Sequence, residues 1–91
     1  MAMRYLYDEV KRAANLKKHG YDFVDAPLII ESPDAVTFED RRFDYGEQRF
    51  ITLGILRDVV VIVTAETDEE IRVISMRKAE RNEQEIYFKN R

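Results

Sequence analysis

The chain has 91 residues, of which 45% are hydrophobic, and its 18 acidic and 15 basic side chains give a formal net charge of -3. This length supports one hydrophobic core and therefore predicts a single domain over residues 1–91. The absence of cysteine excludes disulfides, thiolate metal ligands and cysteine nucleophiles. No apolar stretch approaches the roughly 20 residues of a membrane-spanning helix, and the N-terminus has no signal-peptide core, so we expect a soluble, cytoplasmic protein.

The first predicted element is an amphipathic helix over residues 8–19. Val10, Ala13 and Leu16 lie on one side at helical spacing, and basic residues lie largely on the other. Asp8 suits the positive N-terminal end of the helix. Gly20 can take the left-handed conformation that ends a helix.

A second, shorter helix is predicted directly afterwards. Asp22 can cap this helix, and Pro27 limits it because proline is tolerated only near the first turn. A turn at residues 32–34, a short strand at 35–39 and a polar loop at 40–46 follow.

Three β-branched segments then predict consecutive antiparallel strands at residues 48–56, 59–67 and 69–77. Residues 59–63 are all apolar, which is typical of a strand that is covered on both faces. A final helix is predicted over residues 78–88. The predicted fold class is therefore α+β, with N-terminal helices and a C-terminal helix packed on an antiparallel sheet of about four strands.

The charge is unevenly distributed along the chain. Residues 1–20 carry five basic and two acidic groups, residues 71–91 carry six and three, and residues 21–70 carry four and thirteen. If the fold brings the two ends together, they form one basic face that could hold an anionic polymer despite the acidic total. The alternative is that these charges only solvate exposed helix faces.

The only histidine, His19, is a candidate for proton transfer because an imidazole titrates near pH ~6.5. Its position beside Gly20 also suits a structural role, in which the charged ring interacts with the C-terminal end of the helix dipole. Glu47 and Glu39 are candidate proton acceptors, and the sequence singles out neither from the other acids of the middle segment.

Several cations fall on the predicted strands or directly after them. They are Arg49, Arg72, Arg77 and Lys78. Together they could converge on one phosphate, for which the planar guanidinium group is well suited. The alternative is cross-strand ion pairing with Glu47, Glu66 or Glu70.

Aromatic residues and arginines are interleaved between residues 41 and 50. The aromatic residues are Phe43, Tyr45 and Phe50, and the arginines are Arg41, Arg42 and Arg49. This pattern can stack bases while binding phosphate, although packing in the core or loop is an alternative use of each ring. No Gly-rich phosphate loop, HExxH helix, Cys/His cluster or GxSxG turn is present, so neither a cofactor nor a metal is expected.

Three segments resemble the BrnT toxin family in order and spacing. They are KRAANLKKHG with the following YDF, then FEDRRFDYGEQRFITLG, and finally IRVISMRKAERNEQEIYF. Together they span nearly the whole chain. A KHG-ending helix, an ExRF strand and an IS-x-RKA strand-to-helix junction would rarely occur together by chance.

The resemblance implies the ribonuclease toxin of a bacterial toxin-antitoxin system, with a RelE-like fold in which RNA lies along the sheet. It also implies a cognate BrnA-like antitoxin with a ribbon-helix-helix DNA-binding domain, so that operator DNA is bound only through the complex. The oligomeric state stays open. The polar positions that match the family are Lys18, His19, Glu47, Arg49, Arg72, Arg77 and Lys78.

These positions suggest a mechanism without a metal ion, in which the RNA 2′-hydroxyl attacks the adjacent phosphate with the help of a base, an acid and cations. The predicted catalytic residues are His19, Glu47, Arg49, Arg72 and Arg77, and the predicted RNA-binding residues are Lys18 and Lys78. His19 or Glu47 would transfer protons, and the arginines would stabilise the phosphate. The alternative is a non-catalytic interaction protein, or a degenerate toxin, that binds a partner protein or nucleic acid.

Overall fold

The structure, a computed structural model, describes residues 3–42 and 44–91. Its helices are α1 (Glu9–His19), α2 (Ala26–Ile30) and α3 (Arg81–Asn90), and its strands are β1 (Arg4–Leu6), β2 (Val36–Glu39), β3 (Gln48–Leu56), β4 (Asp58–Glu66) and β5 (Glu70–Lys78). A short 3-10 helix at Phe23–Asp25 leads into α2. Within the described residues, no helix combines the length and apolar character needed to cross a lipid bilayer.

All five strands form one sheet in the order β1-β5-β4-β3-β2. The α+β class is confirmed, but the sheet is mixed and has one strand more than expected. Strands β2 to β5 form an antiparallel meander, whereas β1 runs parallel to β5. The sequence did not reveal β1, because three residues are too few to show an alternating pattern and their partner strand lies at the other end of the chain.

The ends of α1 form as predicted. The Asp8 carboxylate accepts hydrogen bonds from the backbone N–H groups of Val10 and Lys11, which satisfies donors that have no partner inside the helix. Gly20 ends the helix with a φ of 77°, and its N–H donates to the Leu16 carbonyl. These contacts fix where α1 starts and stops.

Helix α3 begins three residues later than predicted, because β5 continues to Lys78. The Ala79 N–H then donates to the Val59 carbonyl at the end of the ladder. Glu80 and Glu83 form a capping box, in which each side chain accepts from the backbone N–H of the other residue. The pattern of two glutamates three residues apart was the signal for the true start.

The two faces of the sheet are covered by different helices. On the face that we call the α2 face, Val60 and Ile62 of β4 pack with Phe23 and Ile29. Helix α2 approaches closely because its Ile29 side chain occupies the space above Gly54 of β3, where a Cβ atom would lie only 2.4 Å from the Ile29 Cγ2.

In the part of the chain that the structure describes, a helix covers only one end of the opposite face, the α3 face. Leu53 of β3 and Val59 and Val61 of β4 pack there with Tyr87 of α3. A helix of ten residues is about 15 Å long, whereas strands of nine residues extend for about 30 Å. Since α3 spans only part of the strand length, the end of this face near residues 49, 65 and 72 has room for polar side chains.

Asn15 of α1 takes the place of a strand along one stretch of the sheet edge. β1 pairs only with residues 70–72 of β5, so the following residues have no strand on that side. There the buried Asn15 amide donates to the Met76 carbonyl at 2.9 Å and accepts from the Met76 N–H at 3.2 Å. It also donates to the Tyr21 carbonyl, which ties the chain after α1 to the same point.

We therefore predict that Asn15→Ala lowers the free energy of unfolding by about 2 to 3 kcal/mol, because it leaves buried backbone groups without partners. Asn90→Ala is a matched control. Asn90 is exposed and donates only to a carbonyl of its own helix, so its loss should cost less than about 0.5 kcal/mol. Urea unfolding of the two variants measures the difference, and equal losses would contradict the role of Asn15.

Candidate functional site

Two of the predicted arginines lie in one row across the sheet. Arg49 of β3 is opposite Ala65 of β4, and Ala65 is opposite Arg72 of β5. Residues opposite each other in an antiparallel ladder point to the same face, so both arginines lie on the α3 face. The Arg72 side chain is 53% exposed. This row lies at the end that α3 does not reach.

The Glu47 carboxylate joins the two arginines. Glu47 Oε2 accepts from Arg49 Nε at 3.0 Å, and Arg72 Nη2 donates to both carboxylate oxygens at 3.0 and 3.1 Å. The hydrogen bond from Arg49, followed in effect by the charge of Arg72, lowers the pKa of Glu47 below its ordinary value. We call Glu47, Arg49 and Arg72 the arginine cluster.

The loop before β3 supports the arginine cluster. The buried Asp40 carboxylate accepts from Arg42 Nε at 2.9 Å and from the Tyr45 hydroxyl at 3.0 Å, and the Asp40 N–H donates to the Arg49 carbonyl. The Tyr45 ring lies under the Arg49 guanidinium, with 4.1 Å between the guanidinium carbon and the ring centroid. Asp40 therefore holds both the backbone of Arg49 and the ring that supports its side chain.

Of the two interleaved aromatic residues that the structure describes, Tyr45 is placed beside the arginine cluster. Phe43 lies outside the described residues. Phe50 follows Arg49 on β3 and is opposite Thr64, so it lies on the α2 face instead. The sequence indicated the interleaving but missed Asp40, whose role depends on three contacts that converge in space.

Arg77 lies on the same face, farther along the strands. It shares a row with Val61 and Leu53, four residues along β3 from the row of Arg49, which corresponds to about 13 Å. Its guanidinium donates twice to Glu83 of α3, at 2.8 Å for each bond. The Arg77 hydrogen bonds lower the pKa of Glu83, and the nearby charge of Arg42 adds to this effect.

The remaining predicted site residues do not join the arginine cluster. Lys78 lies 3.9 Å from Asp58, at the end of the sheet where β3 turns into β4. Lys18 and His19 lie in the last turn of α1. Within the described part of the chain, no hydrogen bond or ion pair of His19 connects it with Glu47 or with an arginine. Arg49 and Arg72 form the ion pairs with Glu47 that the second interpretation predicted, and their convergence on a phosphate stays a prediction.

The α3 face offers shallow hollows rather than a deep pocket. One hollow of about 130 Å³ adjoins Glu47, Ala65 and Arg72, and another of about 240 Å³ lies between β2 and α3 beside Arg42 and Glu83. Small-molecule sites are usually larger and more enclosed, whereas an extended polymer contacts a series of shallow sites. Among residues 3–42 and 44–91, no group of three or more His, Asp or Glu side chains is placed to hold a metal ion.

Comparison with known families decides the identity of the chain. A sequence model that describes the BrnT ribonuclease toxins of type II toxin-antitoxin systems matches residues 7–83. The chain belongs to the BrnT family. The predicted family is thus confirmed, and membership assigns a toxin role, ribonuclease as the class of activity, and a cognate antitoxin as partner.

The structure agrees with this membership in the BrnT family. It is similar to the crystal structure of the Brucella abortus ribonuclease toxin BrnT, with a TM-score of 0.67 and 27% sequence identity. The similarity covers 88% of this chain and 100% of that chain. Comparison with curated protein sequences gives no significant match.

The ion pairs of Asp40 and Glu83 predict a loss of stability at acid pH. Hydrogen bonds from Arg42 and Arg77 lower the pKa values of these carboxyl groups from ordinary values near 3.8 and 4.5. Their stabilising effect is therefore complete above those values and is lost as the pH falls through the lower values of the folded state.

Asp40→Asn should lower the free energy of unfolding at neutral pH and should flatten its dependence on pH between about pH 2 and 4. Urea unfolding at a series of pH values measures both effects. Asp34→Asn removes one carboxylate from an exposed turn and controls for the change in net charge. Equal slopes for Asp40→Asn and the unaltered protein in this pH range would contradict the prediction.

Proposed function

We propose that this BrnT family member is a metal-independent endoribonuclease toxin that cleaves RNA on the α3 face, arrests growth and is neutralised by its cognate antitoxin. The observation that carries the proposal is the arginine cluster at the open end of that face. The proposal treats residues 1–91 as one toxin domain, which the single sheet and the family match over residues 7–83 support.

The arginine cluster has the geometry of a phosphate site. Two guanidinium groups point at one carboxylate, with donor-to-acceptor distances of 3.0 to 3.1 Å. A phosphate group has the same negative charge and more acceptor oxygens, so it can replace the carboxylate between the two arginines. Arg77 lies about 13 Å away on the same face and would contact a phosphate farther along the strand. RNA would thus lie along the sheet.

The reaction needs a group that accepts the 2′-hydroxyl proton while the 2′-oxygen bonds to phosphorus and the bond to the 5′-oxygen breaks. The 5′-oxygen then takes up a proton. We assign the first transfer to Glu47 rather than to His19, because Glu47 lies between the phosphate-binding arginines. When the phosphate takes over their hydrogen bonds, Glu47 loses the contacts that lower its pKa and becomes a stronger base.

The other predicted residues have supporting roles in this proposal. The leaving oxygen takes its proton from water, because His19 is followed by Gly20, whose carbonyl accepts from Arg57 at the opposite end of β3 from Glu47. His19, Lys18 and Lys78 would contact the flanking RNA backbone. The cognate antitoxin carries a ribbon-helix-helix domain, through which the complex contacts operator DNA. The protein acts in the cytoplasm, where both its RNA substrate and its partner are made.

Arg72→Ala should slow RNA cleavage by about 100-fold or more, because it removes a donor that stabilises the negatively charged transition state. Arg72 is exposed, so the thermal unfolding temperature should change little. Arg81→Ala is the matched control, since its side chain is 95% exposed on α3 and lies outside the arginine cluster. Single-turnover cleavage of a labelled RNA measures the rates. Equal rates for the two variants would point to a binding protein without this catalytic site.

Glu47→Gln should slow cleavage by about 100-fold through loss of the base, while RNA binding stays equal or becomes tighter. Binding is measured with a strand that carries a 2′-deoxy residue at the cleavage position and therefore cannot react. His19→Ala serves as the comparison. If His19→Ala lowered the rate more than Glu47→Gln did, the assignment of the base to Glu47 would be wrong.

A further inference from the structure

An apolar groove lies away from the arginine cluster, where α2 meets the outer edge of β3. The groove has a volume of about 770 Å³, and its walls come from α2 and from the turn at residues 31–33. Ile29 and Ile55 line it from the two elements. β2 begins opposite Leu53, so residues 54–56 of β3 have no strand on this side and the groove stays open.

The groove exposes apolar side chains that neither the core nor the proposed reaction uses. Leu28 is 74% exposed, Ile55 is 51% exposed and Val24 is 48% exposed, and all three line the groove beside Pro27 and Pro33. Single exposed apolar residues are common on soluble proteins, but several in one concave site mark a surface that binds a partner.

The chain around the groove is acidic. Residues 20–40 contain six carboxylates and no lysine, arginine or histidine. Glu31 lines the groove and accepts a hydrogen bond from the Tyr5 hydroxyl, and Asp25 and Asp34 directly follow the lining residues Val24 and Pro33. None of these three carboxylates forms an ion pair with a residue of the described chain. A basic partner is therefore favoured and RNA is repelled.

We propose that this groove anchors the cognate antitoxin, through an amphipathic segment that inserts apolar side chains and places lysine or arginine near Glu31 and the neighbouring carboxylates Asp25 and Asp34. The inference rests on the proposed function, because that proposal supplies the antitoxin as the partner. The apolar side chains that enter the groove supply affinity. The carboxylates around the groove favour a basic segment over other amphipathic segments. The antitoxin is thereby held at a site distinct from the one that binds RNA.

The groove and the arginine cluster are separable by mutation. Ile55 lies six residues along β3 from Arg49, which corresponds to about 20 Å. Leu28 lies on the side of the sheet that carries α2, whereas the arginine cluster lies on the α3 face. A change at Leu28 therefore alters antitoxin binding without touching the residues that contact RNA.

The test measures the affinity of the full-length toxin for its purified cognate antitoxin by calorimetry. Leu28→Glu and Ile55→Glu each replace an exposed apolar side chain that the partner would contact with a strongly hydrated one, and each should weaken binding by about tenfold or more. Val10→Glu is the control, because Val10 is 79% exposed on α1 outside the groove. It should change the affinity by less than about twofold. RNA cleavage should be the same in Leu28→Glu and Val10→Glu, and circular dichroism verifies the folding of all three variants.

The charge of the groove is tested separately. Asp34→Lys should weaken antitoxin binding and should also reduce its dependence on salt concentration. Unchanged affinity in Leu28→Glu would overturn the proposal. A second outcome would also overturn the proposal: the unaltered toxin associates with itself, and Leu28→Glu abolishes this self-association but keeps the affinity for the antitoxin. That outcome would identify a second copy of the chain as the occupant of the groove. If the unaltered protein fails to cleave RNA, the proposed ribonuclease function is refuted but the groove proposal is not. The affinities of the variants for the antitoxin still test the groove.

Discussion

Both faces of β4 have to be covered, because four consecutive residues, 59–62, are buried and alternate between the two sides of the sheet. The long N-terminal segment covers one side through the 3-10 helix and α2. On the other side, the helix that covers β4 within the described residues is α3, whose ten residues cannot extend along the whole strand. The remaining length of that face is where Arg49 and Arg72 emerge, so the size of the last helix determines how much of the sheet is available for a ligand.

The arginines of this face are held in place by acidic partners. Glu47 joins Arg49 to Arg72, and Glu83 binds Arg77. These contacts explain how a chain with a net charge of -3 can present a phosphate site, since the guanidinium groups are already oriented and their carboxylates are exchanged for phosphate when RNA binds. They also keep the free protein from carrying a strongly basic surface, which would attract nucleic acids of any kind.

Local signals in the sequence were sufficient for most of the fold. Asp8 and Gly20 defined α1, and the β-branched segments defined the three strands of the meander. Strand β1 could not be predicted, because its pairing depends on contacts with the opposite end of the chain. For the site, the sequence predicted candidate residues but not their arrangement in space. The row that joins Arg49 to Arg72 depends on strand register and on the irregularity between Val63 and Thr64, which no local pattern reveals.

The two hydrogen bonds between the Asn15 side chain and the Met76 backbone link α1 to β5. Proteins are made from the N-terminus, so β1 and α1 leave the ribosome long before the strand that they pair with has been synthesised. Until β5 has been synthesised, β1 and α1 have no sheet edge to pair with. The row of residues 49, 65 and 72 also lacks Arg72 until then. The nascent chain therefore cannot assemble its arginine cluster early. A partial translation product of this toxin, cut short before β5, would lack the site altogether.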